Sequence, residues 1–242
     1  MWIIVGVVVL LLILIGGGVF GLLQYTSARN AAAAAAVATA TARVNATATA
    51  SAVVAAQNPY THSGTLSLSD PLSDNSKGHG WSEDAPNCAF INGTYHAIAP
   101  NANYPDYCLA RASNYSNIAF EVQMKIIKGD AGGIVFRVED TNPNKLYAFY
   151  IGQDGSYNLN LQDPSGFPLL TSGSNPAINR GLNQTNLIAV VAEGSTITLY
   201  VNHQPIDKVT NKTYSGGQLG VFSVPYTQPT EVVFSNLKVW KL

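Results

Sequence analysis

The chain has 242 residues, with 13 Lys and Arg set against 14 Asp and Glu for a formal charge of −1. Only 11% of the residues are charged, so there is no basic footprint for nucleic acid. Two cysteines without a neighbouring His or Cys at ligand spacing favour a disulfide over a zinc site.

The first element, Trp2 to Leu23, runs for 22 residues without an ionisable side chain. As a helix it is ~33 Å long, enough to cross a hydrocarbon core of roughly 30 Å. The spacing therefore predicts a transmembrane helix over residues 1–23 that contacts the lipid bilayer through residues 2–23. A cleaved secretory signal is the competing reading, with small residues available from Ala28 to Ala36. Against it, the apolar run exceeds the usual ~7–15 residues and no Lys or Arg precedes it. Arg29 and Arg43 follow the span and would favour a cytoplasmic domain, but two arginines are a weak bias and long domains cross largely regardless of charge.

Residues 24–56 read as a stalk. From Ala31 to Ala56 it holds 15 alanines and four threonines in 26 residues, too little large apolar surface for a core. Alanine favours a continuing helix, whereas the threonines of the second half lose χ1 freedom in one. The expectation is a helix to about Ala42 that frays into a spacer.

Residues 57–242 carry all 14 acidic residues and 11 of the 13 cations, for a charge of 11 − 14 = −3. They read as one all-β domain. From Asn117 to Ile127, Ile118, Phe120, Val122, Met124 and Ile126 share one face, and Glu121, Gln123 and Lys125 the other. In Gly133 to Glu139, alternation puts Ile134, Phe136 and Val138 inward and Val135, Arg137 and Glu139 outward. Strands are also expected at Lys145 to Gly152, at Tyr157 to Leu161 after an Asp154-Gly155 hairpin turn, and at Ser195 to Asn202. About a dozen half-buried strands need two stacked sheets, so the fold class is a two-sheet antiparallel jelly-roll sandwich.

Several stretches carry a resemblance: Phe120-Glu121-Val122, Gly132-Gly133-Ile134-Val135-Phe136-Arg137, Tyr147-Ala148-Phe149-Tyr150-Ile151, Asp154-Gly155-Ser156-Tyr157, Ile197 to Asn202, Gly217 to Phe222 and Val233-Phe234-Ser235-Asn236. Together, over about residues 64–242, they resemble the concanavalin A-like lectin/glucanase superfamily, on the side of laminin-G-like domains and the bacterial 3-keto-disaccharide hydrolase type. The resemblance implies a jelly roll and leaves activity open. The glucanase branch carries a Glu-x-Asp-x-x-Glu strand. Here Gln123 follows Glu121 on the same face, and Glu139 and Asp140 are adjacent, which sends them to opposite faces of a strand. No catalytic residue is assigned. A surface glycoside-type hydrolase is the alternative function, and a structural adhesion or protein-interaction domain is another.

Outward alternation would gather Glu121, Gln123, Arg137, Glu139, Tyr150, Asn158 and Asn160 into one polar patch with a ring in it, provided that their strands are neighbours. Such a surface suits a carbohydrate, whose C–H groups pack on an aromatic face while amides and charged groups meet its hydroxyls. Cys88 and Cys108, with 19 residues between them, read as a disulfide, which implies an oxidising compartment. Asp140, Asn142 and Asn144 could offer oxygens to calcium, although an Asn/Asp/Pro turn explains them as well, and no cofactor or metal is assigned. The expectation is a single-pass cell-membrane protein whose domain lies outside the cytoplasm and binds carbohydrate or another extracellular ligand.

Overall fold

The computed structural model describes residues 23–46, 57–61, 63–102 and 105–242. The proposed span, residues 2–23, lies outside them except for Leu23. Among the described residues no helix is long and apolar enough to cross a membrane. Contacts divide the chain into two units, Met1–Ala56 and Gln57–Leu242.

In the first unit a helix covers 23–46, a turn beyond the expected end near Ala42. Thr39 and Thr41 are accommodated by donating their hydroxyls to the carbonyls of Ala35 and Val37, at 2.9 and 3.0 Å, the back-bond that lets threonine sit in a helix. The expected spacer falls mainly on 47–56, outside the described residues.

Among the described residues the second unit is a sandwich of fourteen strands: β1 Thr65–Asp70, β2 Cys88–Ile91, β3 Thr94–Ala99, β4 Asp106–Tyr115, β5 Ile118–Lys128, β6 Ala131–Val138, β7 Leu146–Gly152, β8 Ser156–Gln162, β9 Leu169–Ser174, β10 Thr185–Glu193, β11 Thr196–Val201, β12 Gln204–Thr210, β13 Gly217–Val224 and β14 Thr230–Lys241. One sheet has eight strands in the order β12-β11-β10-β5-β14-β3-β2, with β1 also paired to β14. The other has six, in the order β4-β13-β6-β7-β8-β9, and all described pairings are antiparallel.

The inner faces follow the period-2 pattern. Ile118, Phe120, Val122, Met124 and Ile126 of β5 join Ile134 and Phe136 of β6 and Ile197, Leu199 and Val201 of β11 in the core between the sheets. Full burial of each such side chain contributes ~1.5–3 kcal/mol, the main favourable contribution holding the layers together. Cys88 on β2 and Cys108 on β4 form a disulfide that ties an edge of one sheet to an edge of the other.

Strand β6 departs from the expected alternation. Val138 pairs with Gln218 while Val135 pairs with Gly220, so Phe136 and Arg137 together oppose Leu219 alone. This is a β-bulge, with Arg137 in the left-handed region at φ 52°. Beyond it the facing reverses. Val138, expected inward, joins Val135, Leu146, Ala148 and Phe222 on the outer face of the six-stranded sheet, and Arg137, expected outward, is 1% exposed.

The outer face of the eight-stranded sheet is partly roofed by the segment leading into β1. Tyr60 lies over Tyr200 with ring centroids 4.8 Å apart and over Trp240 at 6.3 Å, and it packs, as Leu242 does, against the cluster of Ala119, Val191 and Trp240.

Candidate functional site

Register on the six-stranded sheet lines up one row of outward side chains across five strands. Tyr107 of β4 is opposite Phe222 of β13, which is opposite Gly133 of β6, then Tyr150 of β7, then Asn158 of β8. Gly133 leaves the middle of the row without a side chain. A Cβ there would lie 2.0 Å from the Phe149 carbonyl oxygen and 2.5 Å from the Tyr150 Cα, so only glycine fits. Across that gap the rings of Tyr150 and Phe222 meet edge to face at 5.7 Å and 89°, and Phe222 continues to Tyr107 at 5.4 Å. The next row is lower: Leu109, Gly220, Val135, Ala148 and Asn160.

The step between a ring row and a row of small residues makes a groove of about 270 Å³. Tyr107, Tyr150, Phe222 and Tyr226 form its aromatic lining with Phe167 at one side, and Asn160 and Gln162 supply the polar groups. Phe167 is 62% and Tyr226 49% exposed, a large ring area left to solvent for a folded domain. The amides are oriented. Asn160 Oδ1 accepts from the Tyr150 hydroxyl at 3.2 Å, and its Nδ2 donates to the Phe167 carbonyl at 3.4 Å. Gln162 Oε1 accepts from the Tyr107 hydroxyl at 2.5 Å. Burial pushes the phenols of Tyr107, Tyr150 and Tyr226 up, so all three stay protonated at neutral pH and keep donor capacity. The described residues that line the groove include no Asp, Glu, Lys or Arg.

The patch expected from sequence is divided between the two sheets. Tyr150, Asn158 and Asn160 share the outer face of the six-stranded sheet, whereas β5, with Glu121 and Gln123, belongs to the other sheet. Glu121 is covered: the Tyr60 hydroxyl donates to its Oε2 at 2.6 Å, and Lys238 Nζ stands 3.7 Å from its Oε1. Gln123 Oε1 accepts from Asn236 Nδ2 at 2.8 Å. The bulge turns Arg137 into a structural position, where its guanidinium donates to the carbonyls of Ser116, Tyr214 and Gly194. Burial pulls this guanidinium below its usual value, with Tyr147 partly opposing the shift. Glu139 leaves the row just past the bulge and pairs with Lys145 at 2.8 Å, which holds its carboxyl below the ordinary range. Glu121 and Glu139 therefore do not sit on neighbouring strands and form no carboxyl pair. Of the trio considered for calcium, Asp140 Oδ1 accepts from Gln218 Nε2 and Asn142 Oδ1 from the Asn144 N–H, as in a self-contained turn.

Sequence reasoning passed over Tyr107, Gln162, Phe167, Phe222 and Tyr226. A signal was present for Phe222. Gly132-Gly133 inside a strand marks a place where something packs close to the backbone, and here that is the ring pair to either side of Gly133.

The domain superposes on a carbohydrate-binding module, CBM66, from Bacillus subtilis with a TM-score of 0.56 at 17% identity, covering 67% of this chain and 96% of that one. A Bacillus subtilis protein of unknown function with a galectin-like fold gives 0.57 at 14% identity, over 74% and 96%. A Bacillus licheniformis beta-glucanase gives 0.51 at 13%, over 72% and 98%. The domain shares the jelly-roll fold of these structures. At these identities the likeness of the jelly roll to its neighbours is one of fold. No family model and no curated protein matches the sequence.

Proposed function

We propose that the jelly roll binds an uncharged carbohydrate in the groove on its six-stranded sheet. The observation that carries this is the row Tyr107, Phe222, Tyr150 beside the oriented amides of Asn160 and Gln162. Sugar rings present C–H faces that pack on aromatic rings and hydroxyls that need neutral donors and acceptors, and the groove supplies both. The described lining brings no cation to meet a uronate or sulfate. Glycoside hydrolysis needs two carboxyls flanking the bond, and the described lining offers none, which favours holding the sugar over cleaving it.

The test is binding of the full-length chain, kept in detergent, to immobilised neutral oligosaccharides of glucose, galactose, mannose and fructose and to uronate and sulfated counterparts. Saturable binding to a neutral member, weakened about tenfold or more in Tyr150→Ala and in Phe222→Ala, is the expected result. A preference for the acidic members, or neutral binding untouched by both substitutions, would sink the reading.

We also propose display outside the cytoplasm from a single-pass anchor. The disulfide and the apolar run 2–23 support it. Protease added to intact cells should remove the domain, and full protection in cells whose envelope is permeable to the protease would argue against that topology.

A further inference from the structure

The loop joining β13 to β14, residues 225–229, supplies Tyr226 to the groove, and Tyr226, Thr227, Gln228 and Pro229 are all exposed. The Tyr226 ring meets that of Tyr150, and one carboxylate holds the loop's backbone. Asp130 Oδ2 accepts three successive backbone N–H groups, from Tyr226 at 2.8 Å, Thr227 at 2.7 Å and Gln228 at 3.3 Å. Its Oδ1 accepts the Thr227 hydroxyl at 3.0 Å and Gln228 Nε2 at 3.4 Å. Consecutive N–H groups converging on an anion form a nest, and charge makes each bond stronger than a neutral one.

Asp130 is itself pinned. Its N–H donates to Thr230 Oγ1 at 3.0 Å, its carbonyl accepts the Gln153 N–H at 3.1 Å, and Gln153 Nε2 donates to the neighbouring Gly129 carbonyl at 2.7 Å. The turn between β5 and β6 is thus fixed to the turn between β7 and β8, and from that base it grips the Tyr226 loop. The loop in turn sets the Tyr226 ring 6.3 Å from that of Tyr150.

We infer that Asp130 is the positioning residue of the groove, fixing Tyr226 as one wall of the carbohydrate site without touching the sugar. The inference rests on the carbohydrate reading for its consequence and on the hydrogen bonds for its mechanism, so its test reads both. Amide exchange is followed at residues 226–228 in the full-length chain, and affinity is measured for laminarin and levan, a neutral glucan and a neutral fructan. The variants are Asp130→Ala, Asp130→Asn, Tyr226→Ala and the Asp130→Ala/Tyr226→Ala pair.

Asp130→Ala should speed exchange at 226–228 and weaken binding about tenfold, the size of a lost aromatic contact. Tyr226→Ala should weaken it equally, and the pair no further than either alone, because both remove one wall. Asp130→Asn keeps an oxygen toward the three N–H groups and can turn its amide NH2 to the Thr227 hydroxyl, so it should restore slow exchange and binding to within about threefold. Unchanged exchange and affinity in Asp130→Ala would overturn the inference, and so would fully additive losses in the pair. If the unaltered chain binds neither glycan, the role of Asp130 in recognition falls with the carbohydrate reading. Exchange at 226–228 would then still show, separately, whether the carboxylate holds the loop.

Discussion

Replacing Arg137 by Ala should destabilise the domain severely and leave glycan recognition intact in the fraction that remains folded. The side chain is 1% exposed and makes four hydrogen bonds to three backbone carbonyls, those of Ser116, Tyr214 and Gly194. Each hydrogen bond to a charged group is worth roughly 1.5–3 kcal/mol, and the three carbonyls, none on a buried residue, can turn to water when the guanidinium is gone. Relief from burying the guanidinium offsets part of this, because its charge is met by carbonyl dipoles and the salt bridges among the described residues include none to Arg137. A net loss of about 3–5 kcal/mol is expected. For a domain spanning Gln57–Leu242, with about 2–4 °C lost per kcal/mol, the melting temperature should fall by roughly 10 °C. Arg137→Lys should recover only part of the loss, since one ammonium cannot span three carbonyls as the guanidinium fork does. Near-UV circular dichroism on heating measures the stability, and glycan titration at 25 °C measures recognition. A variant that melts within about 2 °C of the unaltered chain yet no longer binds would refute the reasoning and return Arg137 to the ligand site.

Gly133→Ala should disrupt the ring row and cost at least about 2 kcal/mol, because the added methyl collides with backbone atoms of Phe149 and Tyr150; unaltered stability in urea unfolding would show that the strand can move aside. Reduction of Cys88–Cys108, or Cys88→Ser with Cys108→Ser, should remove about 3 kcal/mol by freeing a loop with a sequence separation of 20, measured as a fall in melting temperature with and without dithiothreitol. Acid should weaken the fold in a defined window. Burial pushes the carboxyls of Asp130 and Asp207 up, but the N–H and hydroxyl groups around them prevail and hold both below the ordinary value, and Ser156 holds Asp154 down. Groups lowered in the folded state give stability that is present above the unfolded carboxyl value near ~3.9 and is lost as pH falls through the lowered ones. Melting temperature should therefore change little from neutral pH to about 5 and drop below about 4, and a rise on acidification to about pH 3 would contradict those assignments.

Strand identity was legible wherever one face is buried and the other wet, as in β5 and β11, where every second residue is apolar. The sandwich followed from the number of such strands. The site was only partly legible, for two physical reasons. Alternation assigns a face within a strand but not the sheet to which the strand belongs, so Glu121 and Tyr150 looked like neighbours although they occupy different sheets. Alternation also fails silently at a bulge, and nothing in Phe136-Arg137-Val138 announces that two residues there oppose one. Phe222 was hidden differently. All but the first residue of β13 are buried, so an outward ring looks the same as a core ring in the sequence. Tyr226 depends on a carboxylate 96 positions away, a relation that only folding creates.

Tyr60 and Leu242 flank the domain, and both pack with Ala119, Val191 and Trp240 on the back of the eight-stranded sheet, while the ring row crosses the front of the other. Within the unit Gln57–Leu242 both segments therefore lie on the wall opposite the groove, so an antibody or label bound at Tyr60 or Leu242 would leave the ring row open to a polymer.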